Sequence, residues 1–170
     1  MDHQYPNVVL IGMPGAGKST VGVILAKQLS YAFLDTDILI QTLHGRGLQD
    51  IVDREGHLVL RSIEEQVLLG IDVSRHVIAT GGSAAYSEKA MQHLGRTGRI
   101  VFLDVSLPEL QRRIHDFSRR GLAKRPEQTF DDLFHERLVL YRSYADVTIS
   151  CTGLNQDEVC ARIYESLPPA

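Results

Sequence analysis

The sequence predicts an α/β fold: three layers, with one parallel sheet between helices and a phosphate-binding loop at its centre. Three observations carry this expectation. Short apolar runs alternate with stretches of helical spacing along the chain. The first apolar run leads into Gly12-Met13-Pro14-Gly15-Ala16-Gly17-Lys18-Ser19, a GxxxxGK[ST] pattern. The length, 170 residues, suits one domain of ~100–200 residues, so residues 1–170 are read as a single unit.

The elements follow in order. Val8-Val9-Leu10-Ile11 is a four-residue apolar run of the kind a buried parallel strand makes. Ser19 to Leu29 places Val21, Ile24, Leu25 and Leu29 at helical spacing. Phe33-Leu34 begins a second strand that runs into Asp35-Thr36-Asp37, and a helical stretch then breaks at Gly45 and Gly47. Leu48 to Val52 reads as helix. Another helix spans about 56–69, with Leu60, Ile63, Val67 and Leu68 on one side. Val77-Ile78-Ala79 is a strand ending at Gly81-Gly82, and Ile100 to Leu103 is the clearest strand. Ser106 is placed as an N-cap, with Pro108 in the first turn and Glu109 completing a capping box. Val147-Thr148-Ile149 is the last strand, and Asn155 caps a final helix. Residues 115–128 are polar and basic, broken by Gly121 and Pro126, and read as a mobile lid.

Composition excludes several classes. Lys plus Arg number 18 and Asp plus Glu 21, a net charge of −3, so no general attraction to nucleic acid or to an anionic membrane is expected. No secretory leader is expected, since no basic segment precedes the first apolar run, and no apolar run nears the ~20 residues of a membrane span. Cys151 and Cys160 have neither redox-pair nor zinc-ligand spacing. A cytoplasmic location and a monomer are the expectations.

The glycine-rich loop carries the chemistry. Gly12, Gly15 and Gly17, with Ala16 between them, let backbone N–H groups converge on phosphate oxygens, and the helix that follows, with Thr20 in its first turn, turns its positive end to the same anion. Lys18 reaches the β- and γ-phosphates, and the Ser19 hydroxyl is placed to ligate Mg²⁺. Asp35 and Asp37 follow at the C-terminal end of a strand, where open α/β sheets hold their ligands. One carboxylate can serve the metal and the other can accept a proton from a substrate hydroxyl; alternatively they cap the next helix. No NKxD-type guanine reader is present, and Asp53-Arg54-Glu55-Gly56 matches DxxG only inside a predicted helix, so a GTPase is disfavoured. Arg61 has Glu64 and Glu65 at i+3 and i+4, either as a surface ion pair or as a guanidinium braced to meet an anion.

Five segments, GMPGAGKSTVG at 12–22, FLDTD at 33–37, EGHLVLRSIEEQVL at 55–68, VIATGG at 77–82 and RLVLYRSYAD at 137–146, resemble shikimate kinases in order and spacing over roughly residues 6–165. The resemblance implies a five-stranded parallel sheet of order 2-3-1-4-5. It implies transfer of the ATP γ-phosphate to the 3-hydroxyl of shikimate, with Mg²⁺ as cofactor. Carried over, Asp37 is the base that binds the substrate hydroxyls, and Asp35 joins Ser19 near the metal. Arg61 and Arg137 clamp the shikimate carboxylate, with Glu64 bracing Arg61. Gly81 and Gly82 line the substrate pocket. Arg113 lies near adenine, and Arg120 is the lid arginine on spacing, with Arg125 as the other candidate. The chain departs from the pattern at Ser83, where a third glycine is usual, at Gln41, where a glutamate is usual, and in the lid, which lacks an Arg-Pro-Leu-Leu run. The alternatives are a related kinase acting on a gluconate-like or nucleoside monophosphate acceptor, and a nucleotide-binding regulator without catalysis.

Overall fold

The computed structural model describes residues 6–114 and 122–168. Five parallel strands form one sheet: β1 (Asn7–Ile11), β2 (Ala32–Asp35), β3 (His76–Ala79), β4 (Gly98–Asp104) and β5 (Val147–Ser150), in the order β2-β3-β1-β4-β5. This is the order the family resemblance implied. All five residues of β1 are buried. Successive strand side chains point to opposite faces, so helices cover both sides of the sheet.

Eight α-helices are described: α1 (Lys18–Leu29), α2 (Thr36–His44), α3 (Leu48–Glu55), α4 (His57–Leu69), α5 (Glu88–Thr97), α6 (Leu107–Arg113), α7 (Phe130–Tyr144) and α8 (Gln156–Ser166). A single 3₁₀ turn covers Ala84–Tyr86. Helix α1 packs on β1, β2, β3 and α8, and α5 and α7 pack on β4. The main core joins the strands to α1, α5, α7 and α8. A smaller one, built from Ile40, Ile51, Leu60 and Ala123, ties α2, α3 and α4 together away from the sheet. This second core supports α2 and α4, the helices that carry Asp37 and Glu64.

Two helices, α5 and α7, have no counterpart among the elements expected from the sequence. In α7 the buried face is Leu133, Phe134, Arg137 and Tyr141, and a charged residue at its centre masks the apolar repeat. Its start is fixed by a reciprocal capping box between Thr129 and Asp132. In α5 the buried residues are Ala90, Met91 and Leu94, a narrow stripe. Asn155 caps α8 as expected, bonding Glu158 N at 2.9 Å. Ser106 does occupy the N-cap of α6, but its side chain makes no capping bond. Glu109 is drawn instead to Gly153 N, at 3.2 Å, and to Arg113, so the expected box does not close.

Both cysteines are free and buried, and burial pushes their thiols up, to about 12 for Cys151 and about 11 for Cys160. Among the described residues no helix is long and apolar enough to cross a membrane.

Candidate active site

The phosphate loop leaves β1 at Ile11 and enters α1 at Lys18. Gly17 holds the N-cap of α1 with φ +96°, a left-handed conformation that favours glycine. Ala16 is buried and its N–H donates to Met13 O at 3.0 Å, which closes the turn. Lys18 is buried, and its Nζ donates to Gly12 O at 2.6 Å and Met13 O at 2.9 Å. Burial pulls the Lys18 ammonium down to about 8, against the opposing pull of Asp37. Ser19 and Thr20 are exposed at the rim of the same cavity. Arg113, at the end of α6, donates to Gly15 O at 3.4 Å and to Ala16 O at 3.5 Å, which fixes it beside the loop.

Asp35 does two jobs at once. Its Oδ1 caps α2 by accepting from Asp37 N at 3.0 Å and Ile38 N at 3.1 Å. Its Oδ2 accepts from Ser19 Oγ at 2.5 Å. The two sequence readings, helix cap and metal-side carboxylate, are therefore compatible. Asp37 is half-buried one turn into the site; burial pushes its carboxyl up and the nearby Lys18 ammonium opposes that shift.

Opposite Asp37 stands the loop after β3. Gly81 N donates to Thr36 Oγ1 at 3.1 Å, which draws this loop against the start of α2. A β-carbon at Gly81 would strike Glu64 Oε1 and would sit 2.7 Å from Asp37 Oδ1. At Gly82 it would lie 2.6 Å from an Arg137 amino group and 2.9 Å from Pro14. Both positions therefore need glycine for close approach, and both sit where cradle, carboxylates and arginine meet.

Arg137 is only 1% exposed. It donates to Ala123 O at 3.0 Å and to the Tyr86 hydroxyl at 3.4 Å. Arg61 lies flat over the Tyr86 ring, 3.6 Å from its centroid, and also donates to Ala123 O at 3.4 Å. The two arginines thus converge on one carbonyl. Glu64 does not brace Arg61: it turns inward, accepts from Ser83 Oγ, and faces Lys18, Asp37 and Arg137. Arg61 at i−3 is held instead by the Tyr86 face, which offers a cation a larger surface than one carboxylate. Burial pushes Glu64 up to about 7, and the Ser83 hydrogen bond opposes that rise.

These groups enclose a cavity of about 840 Å³ that runs from Arg113, Lys18 and Ser19 to Asp37, Glu64, Gly81, Gly82 and Arg137. Arg61 lines a smaller adjoining cavity of about 290 Å³ with Glu64, Ser83 and Tyr86. Arg120 lies outside the described residues. Arg125 pairs with Glu136 at 3.4 Å and Glu127 at 3.7 Å. Sequence reasoning missed Tyr86, the platform under both arginines, and Leu122 and Ala123, which close the cavity. Tyr86 had no motif to mark it.

A family model for shikimate kinase matches residues 14–168. The chain belongs to the shikimate kinase family. A shikimate kinase of Rippkaea orientalis is 39% identical over 166 residues, covering 95% of this chain and 88% of its own. One from Thermobifida fusca is 35% identical over 97% of this chain and 96% of its own. Among solved structures, shikimate kinase from Acinetobacter baumannii in complex with shikimate matches at 32% identity with a TM-score of 0.86, covering 96% of this chain and 93% of that one. The shikimate kinase of Aquifex aeolicus matches at 0.80 and 32% identity over 94% of this chain and 95% of that one. In this chain the phosphate loop opens onto a cavity lined by Asp37, Glu64 and Arg137, with Arg61 in the adjoining one.

Proposed function

We propose that this chain transfers the γ-phosphoryl group of ATP to a hydroxyl of shikimate, giving shikimate 3-phosphate and ADP. The observation that carries the reading is the single cavity in which Lys18 of the phosphate loop meets Asp37, Glu64 and Arg137 across Gly81 and Gly82. Membership of the shikimate kinase family supports it.

In this reading the acceptor hydroxyl oxygen attacks the γ-phosphorus as the bond to the ADP oxygen breaks, and Asp37 takes the hydroxyl proton. Burial raises the basicity of Asp37 above that of an ordinary aspartate, which suits a base working near neutral pH. Lys18 and the loop amides hold the transferring phosphoryl and offset the charge that spreads over its oxygens. Arg113 stands on the nucleotide side. Arg61 and Arg137 take the acceptor carboxylate, exchanging the neutral Ala123 carbonyl for a charged partner. The family resemblance assigns Arg120 to the γ-phosphate.

The pair Ser19 Oγ and Asp35 Oδ2, 2.5 Å apart beside the loop, offers the hard oxygen donors that Mg²⁺ prefers. Ser19 and Asp35 would hold Mg²⁺ there, and the cation would offset phosphate charge. We place the protein in the cytoplasm as a monomer acting on small molecules, without a nucleic acid or membrane partner.

ADP release with Mg²⁺-ATP, measured with shikimate, quinate or gluconate, tests the reading. Stimulation by shikimate alone is expected. Stimulation by gluconate or quinate instead would reassign the acceptor. Arg61→Lys is expected to raise KM for shikimate about tenfold with KM for ATP unchanged, because a lysine loses both the planar fork and the Tyr86 stack. An effect on ATP alone would remove Arg61 from the acceptor side.

A further inference from the structure

Glu64 is 3% exposed, yet only one of its two oxygens is bonded. Oε2 accepts from Ser83 Oγ, and Oε1 is buried without a hydrogen-bond partner among the described residues. That free oxygen points across Gly81 toward Asp37, since a β-carbon on Gly81 would touch both carboxylates. Leaving a buried carboxylate oxygen unpaired is costly, so a site that does so holds it for a ligand. Arg61, one turn earlier on α4 and the obvious partner by sequence, lies over Tyr86 instead. Ser83 is itself 8% exposed and lines both cavities. Its hydroxyl has no other bonded partner among the described residues that would account for its direction.

We propose that Ser83 is a positioning residue for the transfer: its hydroxyl pins Glu64 by Oε2 so that Oε1 stands free beside Asp37 to receive an acceptor hydroxyl. The proposal rests on the reading of this cavity as the acceptor pocket. A carboxylate pinned at one oxygen keeps a defined direction at the other, where an unpinned one rotates about its last torsion, which is broad for glutamate. The serine thereby supplies, at a loop position where a glycine could not, the donor that fixes the second carboxylate of the pocket.

The charged and titratable groups facing Glu64 are Lys18 from α1, Asp37 from α2, and Arg137 and Tyr141 from α7, with Arg61 and Glu65 of α4 and Tyr86 of the 3₁₀ turn lining the smaller cavity beside it. Lys18, Arg137 and the Ser83 bond favour its ionised form; burial and Asp37 oppose it, leaving the carboxyl at about 7. Removing the serine hydroxyl removes a contribution that lowers this value. The acid limb of kcat/KM for shikimate then moves to higher pH.

The test is initial-rate kinetics with shikimate and Mg²⁺-ATP from about pH 6 to about pH 9, on the unaltered enzyme, Ser83→Ala and Ser83→Thr. At pH 7 Ser83→Ala is expected to lose about tenfold in kcat/KM for shikimate, the size of one hydrogen bond to a charged group, with KM for ATP unchanged. The deficit shrinks toward pH 9 and Ser83→Thr restores most of the loss. An unmoved acid limb, a threonine variant as impaired as the alanine one, or a parallel rise in KM for ATP overturns the proposal. Should Ser83→Ala fail to fold, the unaltered enzyme still decides it: a profile flat from about pH 6 to about pH 8 overturns the role given to ionised Glu64. An unaltered enzyme that shikimate does not stimulate overturns the proposed function itself, a result distinct from an active enzyme whose acid limb stays in place.

Discussion

Lys18→Ala is expected to lower kcat by about 10²–10³-fold, the usual cost of removing one preorganised group that stabilises transition-state charge. A second effect follows from the packing. The buried Nζ bonds Gly12 O and Met13 O, so its loss leaves two loop carbonyls without their donor and loosens the cradle. KM for ATP should therefore rise as well. Lys18→Arg is not expected to rescue turnover, because the larger planar guanidinium has no room at a position only 8% exposed. The Lys18 value of about 8 also predicts the alkaline side of the profile. The ammonium is the working form and is lost from the free enzyme as pH rises through that value, so kcat/KM for ATP should fall above about pH 8. Single-turnover measurements with labelled ATP separate the chemical step from binding; near-normal transfer in Lys18→Ala would discard the role.

Asp37→Asn is expected to cut kcat by about 10²–10⁴-fold, the range of a positioned general base, while ATP binding persists. Asparagine nearly matches the shape, so the close fit against Gly81 survives, but it cannot accept the acceptor proton. The change also redistributes charge. Asp37 holds Lys18 up and pushes Glu64 up. Without it, Glu64 titrates lower and the Lys18 ammonium is lost at lower pH. A kcat unchanged by Asp37→Asn would remove Asp37 as base. A fall in ATP affinity as large as the fall in kcat would make its role electrostatic support of the cradle.

Much of the molecule was legible in the chain because its strongest signals are local. The GxxxxGK[ST] run needs only a strand before it and a helix after it, and β1 and α1 supply both. Asp35 was read as either a cap or a metal-side carboxylate, and its two oxygens allow both. What could not be read depends on contacts between distant segments. Spacing on α4 puts Glu64 next to Arg61, yet Ser83, from a loop 19 residues further on, takes the carboxylate. Tyr86 takes the guanidinium. Helical periodicity places side chains on a face but does not say which neighbour wins them. The buried Arg137 defeats the pattern in the opposite way, as a charge at a core position that exists because of the site.

The burial of β1 has a consequence for how the molecule breathes. This strand is hydrogen-bonded on both edges, to β3 and to β4, and every one of its residues is buried. Its amides should exchange with deuterium only when the whole domain opens. The phosphate loop springs directly from it, so Lys18 and the loop are anchored to a strand that is buried and paired on both edges. Asp37, Arg61 and Glu64 stand on α2 and α4, which share a separate small core with α3, whereas Arg137 stands on α7, which packs into the main core. Amides of α2, α3 and α4 can exchange through local openings that leave β1 protected. The wall that carries Asp37, Arg61 and Glu64 can therefore fluctuate and re-form while the phosphate loop keeps its shape.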